Sequence, residues 1–180
     1  AGTLKLPTPV STVEALAFAS PSQLLAFDYD MAKRLTILRR FDLVEGRYTG
    51  SRELGRDVSA FVVAPAGDRV YVSQGDGIEI LKADDLSPAG RIVLGARAER
   101  LSIDGKGRFL LASRGNGIAL VPLDGGAPRV VEAAAFGASV SAAEISADGD
   151  TFWIAAGGQL GAFPVAGGEA RWRVPATAQY

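Results

Sequence analysis

Short apolar runs separated by turn residues recur along the whole chain, and they are clearest between residues 58 and 94. Four runs occur there, each of strand length and rich in valine, isoleucine and tyrosine, and glycine, proline or aspartate separates them. In chain order they cover residues 58–64, 70–73, 78–81 and 91–94. Runs of this kind between such residues are typical of β-strands joined by tight turns. The pattern therefore predicts four consecutive strands.

The same pattern repeats at regular intervals. The segment Gly-Asp-Arg-Val-Tyr-Val at residues 67–72 has counterparts that begin at residues 21, 106 and 149, so successive copies are 46, 39 and 43 residues apart. The hairpin segment Gly-Asp-Gly-Ile at 75–78 recurs at 115–118 and, in a degenerate form, at 157–160. Asp-Gly and Asn-Gly favour tight hairpins because both residues adopt positive φ. The spacing is typical of the four-stranded blades of a propeller.

These repeats predict an all-β chain: a β-propeller, or a portion of one, made of four-stranded antiparallel blades. Residues 1–180 hold about four blades, at roughly 11–54, 56–95, 97–133 and 138–175. Residues 3–7 have the character of a surplus N-terminal outer strand, which indicates a further blade contributed from outside the chain. We expect part of a larger propeller or a ring of two chains, ahead of a closed four-bladed ring.

The second repeat resembles the YVTN/WD40-like propeller repeats of bacterial surface and periplasmic proteins. The resemblance is carried by Pro-Ala-Gly-Asp-Arg-Val-Tyr-Val-Ser at 65–73, Gly-Ile-Glu-Ile-Leu at 77–81 and Gly-Arg-Ile-Val-Leu-Gly at 90–95. These motifs mark turns and core positions, so the resemblance implies a blade and transfers no catalytic residue. It also implies an exported bacterial protein, in the periplasm or at the cell surface.

Composition narrows the classes of function. The chain has no cysteine and no histidine, which excludes disulfides, thiolate nucleophiles, Cys/His zinc sites and Ser-His-Asp triads. Its 19 basic and 20 acidic residues give no charge argument for a nucleic-acid partner. No apolar run approaches the roughly 18–20 residues of a membrane span. We therefore predict no cofactor, no nucleic acid and no membrane span. Because the chain begins at Ala1 rather than methionine, we expect that an upstream segment was removed.

Candidate binding residues lie in the loops through which propellers mainly bind ligands, between outer and first strands and between second and third strands. This assignment is an analogy at the level of the fold. Five arginines fall in these loops, and arginine suits the capture of carboxylate or phosphate groups. They are Arg34, Arg56, Arg97, Arg100 and Arg114. The alternative is that they are solvated or paired with Asp57, Asp76 and Glu99.

The most divergent loop, at residues 28–34 of the first repeat, adds Asp28, Tyr29 and Asp30 to the candidate binding residues. The two carboxylates lack the alternating oxygen ligands of a calcium loop, so turn formation is the favoured interpretation. We predict no metal site.

Three functions stay open at this point. The favoured one is a non-enzymatic interaction or scaffold domain that binds a protein partner through its loop face or outer edge. The second is a propeller lactonase or hydrolase that uses carboxylates and a metal. The third is a half-propeller completed by self-association as a homodimer.

Overall fold

The computed structural model describes residues 12–114, 117–132 and 139–175, which form sixteen β-strands and no helix. They make four antiparallel sheets of four strands, and within each sheet the spatial order follows the chain order. We call these sheets blades I to IV. The prediction of an all-β chain built of four antiparallel blades is confirmed. The predicted surplus strand at residues 3–7 lies outside the described residues.

The strands of the first two blades have the following bounds. Blade I consists of β1 (Thr12–Ser20), β2 (Gln23–Asp30), β3 (Leu35–Asp42) and β4 (Arg47–Gly55). Blade II consists of β5 (Val58–Val63), β6 (Arg69–Gln74), β7 (Gly77–Lys82) and β8 (Pro88–Val93).

The last two blades are built from shorter strands. Blade III consists of β9 (Arg100–Ile103), β10 (Phe109–Arg114), β11 (Gly117–Pro122) and β12 (Arg129–Glu132). Blade IV consists of β13 (Val140–Ile145), β14 (Thr151–Ala156), β15 (Gln159–Pro164) and β16 (Trp172–Pro175).

The chain divides into two compact units at Ile92 and Val93, and the described residues of the first form blades I and II while those of the second form blades III and IV. In the first unit, Leu25 of β2 and Val72 of β6 belong to one buried cluster. Phe27 and Phe61 stack within it with ring centroids 5.1 Å apart. Successive side chains of a strand point to opposite faces, so a second strand with both faces covered is buried at consecutive positions. Burial of four consecutive residues in β2 and in β6 agrees with this rule.

The core of the second unit joins blades III and IV in the same way. Leu111 and Leu120 cluster with Phe152 and Ile154, and all four side chains are buried. A polar contact accompanies this core, because the Ser102 hydroxyl accepts a hydrogen bond from the Ile145 backbone N at 3.0 Å and lies 2.6 Å from the Glu144 carboxylate.

Aspartate and glycine shape the hairpins between first and second strands. The buried Asp104 carboxylate accepts hydrogen bonds from the backbone N of Arg108 at 2.6 Å and of Phe109 at 2.8 Å. Gly67 occupies the corresponding turn of blade II with φ +73°, and a Cβ at that position would lie 1.9 Å from the carbonyl oxygen of Ala19. Glycine is therefore required there both for the backbone conformation and for the close approach of blade I.

One predicted boundary is wrong. The polar loop expected at residues 28–34 is shorter, because β2 continues to Asp30 and β3 begins at Leu35. The strand extends this far because Asp28 is buried and pairs with Arg39 of β3, so its carboxylate does not end the strand. The connection is the turn at 31–34.

Candidate functional site

A polar cleft lies between blades I and II, at the end of the blades where β4 passes into β5 and β6 turns into β7. Two hydrogen bonds join these connections: Gly75 N donates to the Asp57 carbonyl at 3.0 Å, and the Gln74 amide donates to the Leu54 carbonyl. The cleft has a volume of about 460 Å³, and Arg56 is part of its lining. We call it the loop-end cleft. It contains one of the five arginines predicted to bind a ligand.

Ion pairs hold the walls of the loop-end cleft. Arg52 of β4 donates to the Glu79 carboxylate of β7 at 2.7 Å, and this pair is partly buried between the blades. Arg91 of β8 lies 2.6 Å from Asp76 in the β6–β7 hairpin. Asp76 therefore pairs with an outer-strand arginine and not with one of the predicted loop arginines. These ion pairs position the walls of the cleft and neutralise most of the charged side chains in them.

Arg56 differs from the other two arginines of the cleft. It is exposed in the β4–β5 connection, and its side chain makes no hydrogen bond or ion pair with any residue in the described part of the chain. Asp57 is its chain neighbour and one of the three carboxylates considered as partners for the loop arginines, yet no ion pair joins them. Arg56 is thus a cation at the mouth of the cleft whose guanidinium donors have no hydrogen-bond partner among the described residues.

The β2–β3 turn adjoins the same cleft. Lys33 in this turn lies 2.5 Å from Glu53, which lines the cleft, and the hydrogen bond and negative charge of Glu53 raise the pKa of Lys33 above its ordinary value. Arg34 follows with φ +53° and an exposed side chain that has no partner among the described residues. The structure therefore places Arg34 in a turn that Lys33 ties to a wall of the cleft.

The three predicted arginines of the second unit divide into two kinds. Arg97 and Arg100 are exposed in and just after the connection that leads into β9, without ion pairs to described residues. Arg114 is buried at the end of β10, where it lies 3.2 Å from Glu132 and donates to the Leu94 carbonyl at 3.3 Å. Arg114 is predicted to lie in a binding loop, whereas the structure places it in a strand, where its guanidinium joins two strands and a connection.

The three candidates of the first repeat are the last three residues of β2. Asp28 is 1% exposed and pairs with Arg39 at 2.7 Å. Asp30 instead accepts hydrogen bonds from the backbone N of Ala32 and Lys33, both at 3.0 Å. Asp30 thus forms the turn that the sequence predicts. Tyr29 is half-buried in β2 and interacts with other residues of the chain.

Sequence reasoning missed Arg52, Glu79 and Arg91, although a signal for one of them was present. Glu79 lies between Ile78 and Ile80 in a third strand that is otherwise apolar. A carboxylate in such a strand requires a cationic partner on a neighbouring element, since burial of an unpaired charge is costly.

Two further observations concern metal binding and membrane insertion. Within residues 12–114, 117–132 and 139–175, acidic side chains do not gather in groups of three or more suited to a metal ion. In the same residues no helix has the length and apolar character of a membrane span.

Comparison with known proteins shows the fold. No family model and no curated protein matches the chain. Among solved structures, the β-propeller domain of Myceliophteria thermophila Cps50 (Swd1) superposes with a TM-score of 0.73 at 12% identity, over 94% of this chain and 58% of that one. Kuenenia stuttgartiensis hydrazine synthase gives 0.70 at 15% identity, over 93% and 50%.

The chain thus spans between half and three-fifths of the length of these two structures. In all, 853 solved chains match, so the fold is widely shared and does not by itself specify a function. The four blades are those of a β-propeller fold.

Proposed function

We propose that the chain is a non-enzymatic protein-interaction module that binds an acidic segment of a partner protein at the loop-end cleft. The observation that carries the proposal is Arg56, an exposed guanidinium at the mouth of a preformed cleft that pairs neither with the adjacent Asp57 nor with any other described residue. An arginine of this kind binds carboxylates through two parallel hydrogen bonds. The exposed Arg34 in the adjoining turn adds a second positive charge.

The surroundings of Arg56 support this role. The partly buried pair between Arg52 and Glu79 holds the cleft walls, so a partner meets a formed surface. Charged groups at the rim of an interface act mainly on association rate and specificity. We therefore expect acidic partners to be favoured and their binding to weaken with added salt.

A labelled peptide of glutamate and glycine tests the proposal, with a lysine and glycine peptide as the charge-reversed comparison. Fluorescence anisotropy should show that the acidic peptide binds and the basic one does not. Arg56→Glu combined with Arg34→Glu should weaken binding about tenfold. Arg47→Glu is the control, because Arg47 is exposed and pairs with Glu45 at the start of β4, at the opposite end of blade I. An equal loss in Arg47→Glu, or none in the double variant, contradicts the proposal.

Self-association is a second candidate function, and it has its own observation in blade I. Leu16 and Phe18 of β1 are 60% and 65% exposed, and their cross-strand neighbours Ala26 and Leu24 place them on one face of the sheet. Exposed apolar side chains in one row favour contact with a further sheet. If two chains meet there, light scattering should give a dimer mass that Leu16→Glu with Phe18→Glu converts to a monomer. A monomeric mass for the unmodified chain refutes this candidate.

A further inference from the structure

A second pocket lies within the other unit, between the outer strands of blades III and IV. It has a volume of about 590 Å³, within the range of small-molecule sites. Its lining joins β12, the outer strand of blade III, to β15 and β16 of blade IV and to the turn between them. We call it the outer-strand pocket.

The apolar part of the outer-strand pocket is aromatic. Phe152 and Phe163 stack with ring centroids 5.5 Å apart and an interplanar angle of 12°, and Val131 adds an aliphatic surface from β12. Stacked aromatic rings present flat faces and edges on which another aromatic ring packs favourably. This part of the pocket therefore suits a planar apolar body.

Two arginines provide charge beside the aromatic surface. Arg173 of β16 places its guanidinium carbon 5.6 Å from the centroid of the Phe163 ring. Arg129 of β12 donates from Nη2 to the Val165 carbonyl at 2.8 Å, while its Nε is buried and has no hydrogen-bond partner. A Cβ at Gly167 would lie only 2.8 Å from Arg129 Nη1, so the turn holds this guanidinium closely.

Neither cation is neutralised by a described residue. Arg129 and Arg173 form no ion pair within the described chain, and the exposed Glu169, which also lines the pocket, pairs with neither. A partly buried arginine bonded only to a neutral carbonyl has an unbalanced charge, and an anion is the group that balances it. The pocket therefore combines an aromatic surface with two unpaired cations.

We propose that the outer-strand pocket binds a small aromatic carboxylate, with its ring against Phe152 and Phe163 and its carboxylate between Arg129 and Arg173. The inference is independent of partner binding at the loop-end cleft, since the residues that carry it belong to a different unit of the chain.

Calorimetry with naphthoate tests the ligand class, and naphthylmethanol and naphthylmethylamine supply the neutral and cationic forms of the same ring system. We expect naphthoate to bind at least about tenfold more tightly than either, because charge-assisted hydrogen bonds form only with the anion. Equal affinity for the three compounds, or no binding of naphthoate, overturns the proposal.

Variants then assign the binding to the pocket. Arg129→Met and Arg173→Met keep an apolar stem and remove the charge, so each should weaken naphthoate binding about tenfold. Glu169→Gln should strengthen it severalfold by removing a like charge. Arg171→Met is the matched control, since Arg171 lies in the same outer segment but bonds to Thr151 at 2.9 Å and does not line the pocket.

Folding is checked separately because Arg129 supports the turn of blade IV. Circular dichroism at the titration temperature should show that each variant is folded. If Arg129→Met unfolds, the exposed Arg173 alone decides the matter. Unchanged naphthoate affinity in Arg173→Met, or a loss in Arg171→Met as large as in Arg173→Met, overturns the assignment.

Discussion

The buried ion pair of Asp28 and Arg39 tests how blade I is stabilised. The two side chains are 1% and 6% exposed, and Arg39 Nε lies 2.7 Å from the Asp28 carboxylate. They face each other diagonally across β2 and β3, since Asp28 is level with Ile37 and Arg39 with Ala26. Removal of one partner from a buried ion pair leaves the other charge in a site shaped for the pair, which typically costs about 3–5 kcal/mol.

Three variants separate the pair from the packing around it. Asp28→Asn retains the shape of the side chain and removes its charge, so we expect it to lower the free energy of unfolding by about 3 kcal/mol or more. Arg39→Met should have a similar effect. The double variant, Asp28→Leu with Arg39→Met, removes both charges and should return to within about 1–2 kcal/mol of the unmodified chain, because no uncompensated charge is left.

Urea unfolding followed by far-ultraviolet circular dichroism measures these differences. A loss of 3–5 kcal/mol corresponds to a fall in melting temperature of roughly 6–20 °C for a chain of this size. The double variant tests the coupling, because independent effects would add. The reasoning fails if Asp28→Asn costs less than about 1 kcal/mol, or if the double variant loses the sum of the two single changes.

Three further predictions concern turns and core. Gly67→Ala should cost about 2 kcal/mol more in urea unfolding than Gly46→Ala, since both glycines have positive φ but only a Cβ at Gly67 meets backbone; equal costs would contradict this. Ser146→Ala should raise the pKa of Asp148, which its hydrogen bond to Ser146 holds below the ordinary 3.8, in an NMR titration. Because that pKa is lower in the folded state, the carboxylate stabilises the fold above about pH 4 and loses this effect as the pH falls; an unchanged pKa refutes the cause. Leu81→Ala should cost about 2–5 kcal/mol in thermal unfolding, and an unchanged melting temperature would contradict its central place in the core.

The blades were predictable because turns and second strands are determined locally. Gly67, Gly107 and Gly149 all have φ between +67° and +73°, and each lies in a turn that the repeat alignment had identified. Backbone conformations of this kind are costly for other residues, so a glycine in each repeat, 40 and then 42 residues further along the chain, indicates where each hairpin lies. The apolar runs between these turns then had to be strands with both faces buried.

Charge pairing was not predictable from the same signals, because it depends on register across strands. Arg114 is level with Gly117 of β11, and Gly117 is level with Glu132 of β12. Arginine and glutamate thus lie at the same level two strands apart, with a residue between them that has no side chain. A Cβ at Gly117 would lie 2.2 Å from the Val131 carbonyl. The sequence alone assigned Arg114 to a binding loop, whereas the register places Arg114 beside Glu132.

The presence or absence of an acidic ion-pair partner therefore separates structural arginines from binding candidates better than their position in the sequence does. Arg39, Arg52 and Arg114 each lie on a strand with a carboxylate within 3.2 Å, and their removal should act on stability first. Arg56 and Arg129 line pockets without an acidic partner in the described chain. Substitution of Arg56 should reduce ligand affinity and leave the free energy of unfolding nearly unchanged, because no hydrogen bond or ion pair to a described residue is lost. A charge variant of Arg56 that unfolds the chain would refute this division, because no hydrogen bond or ion pair of its side chain to a described residue accounts for such a loss.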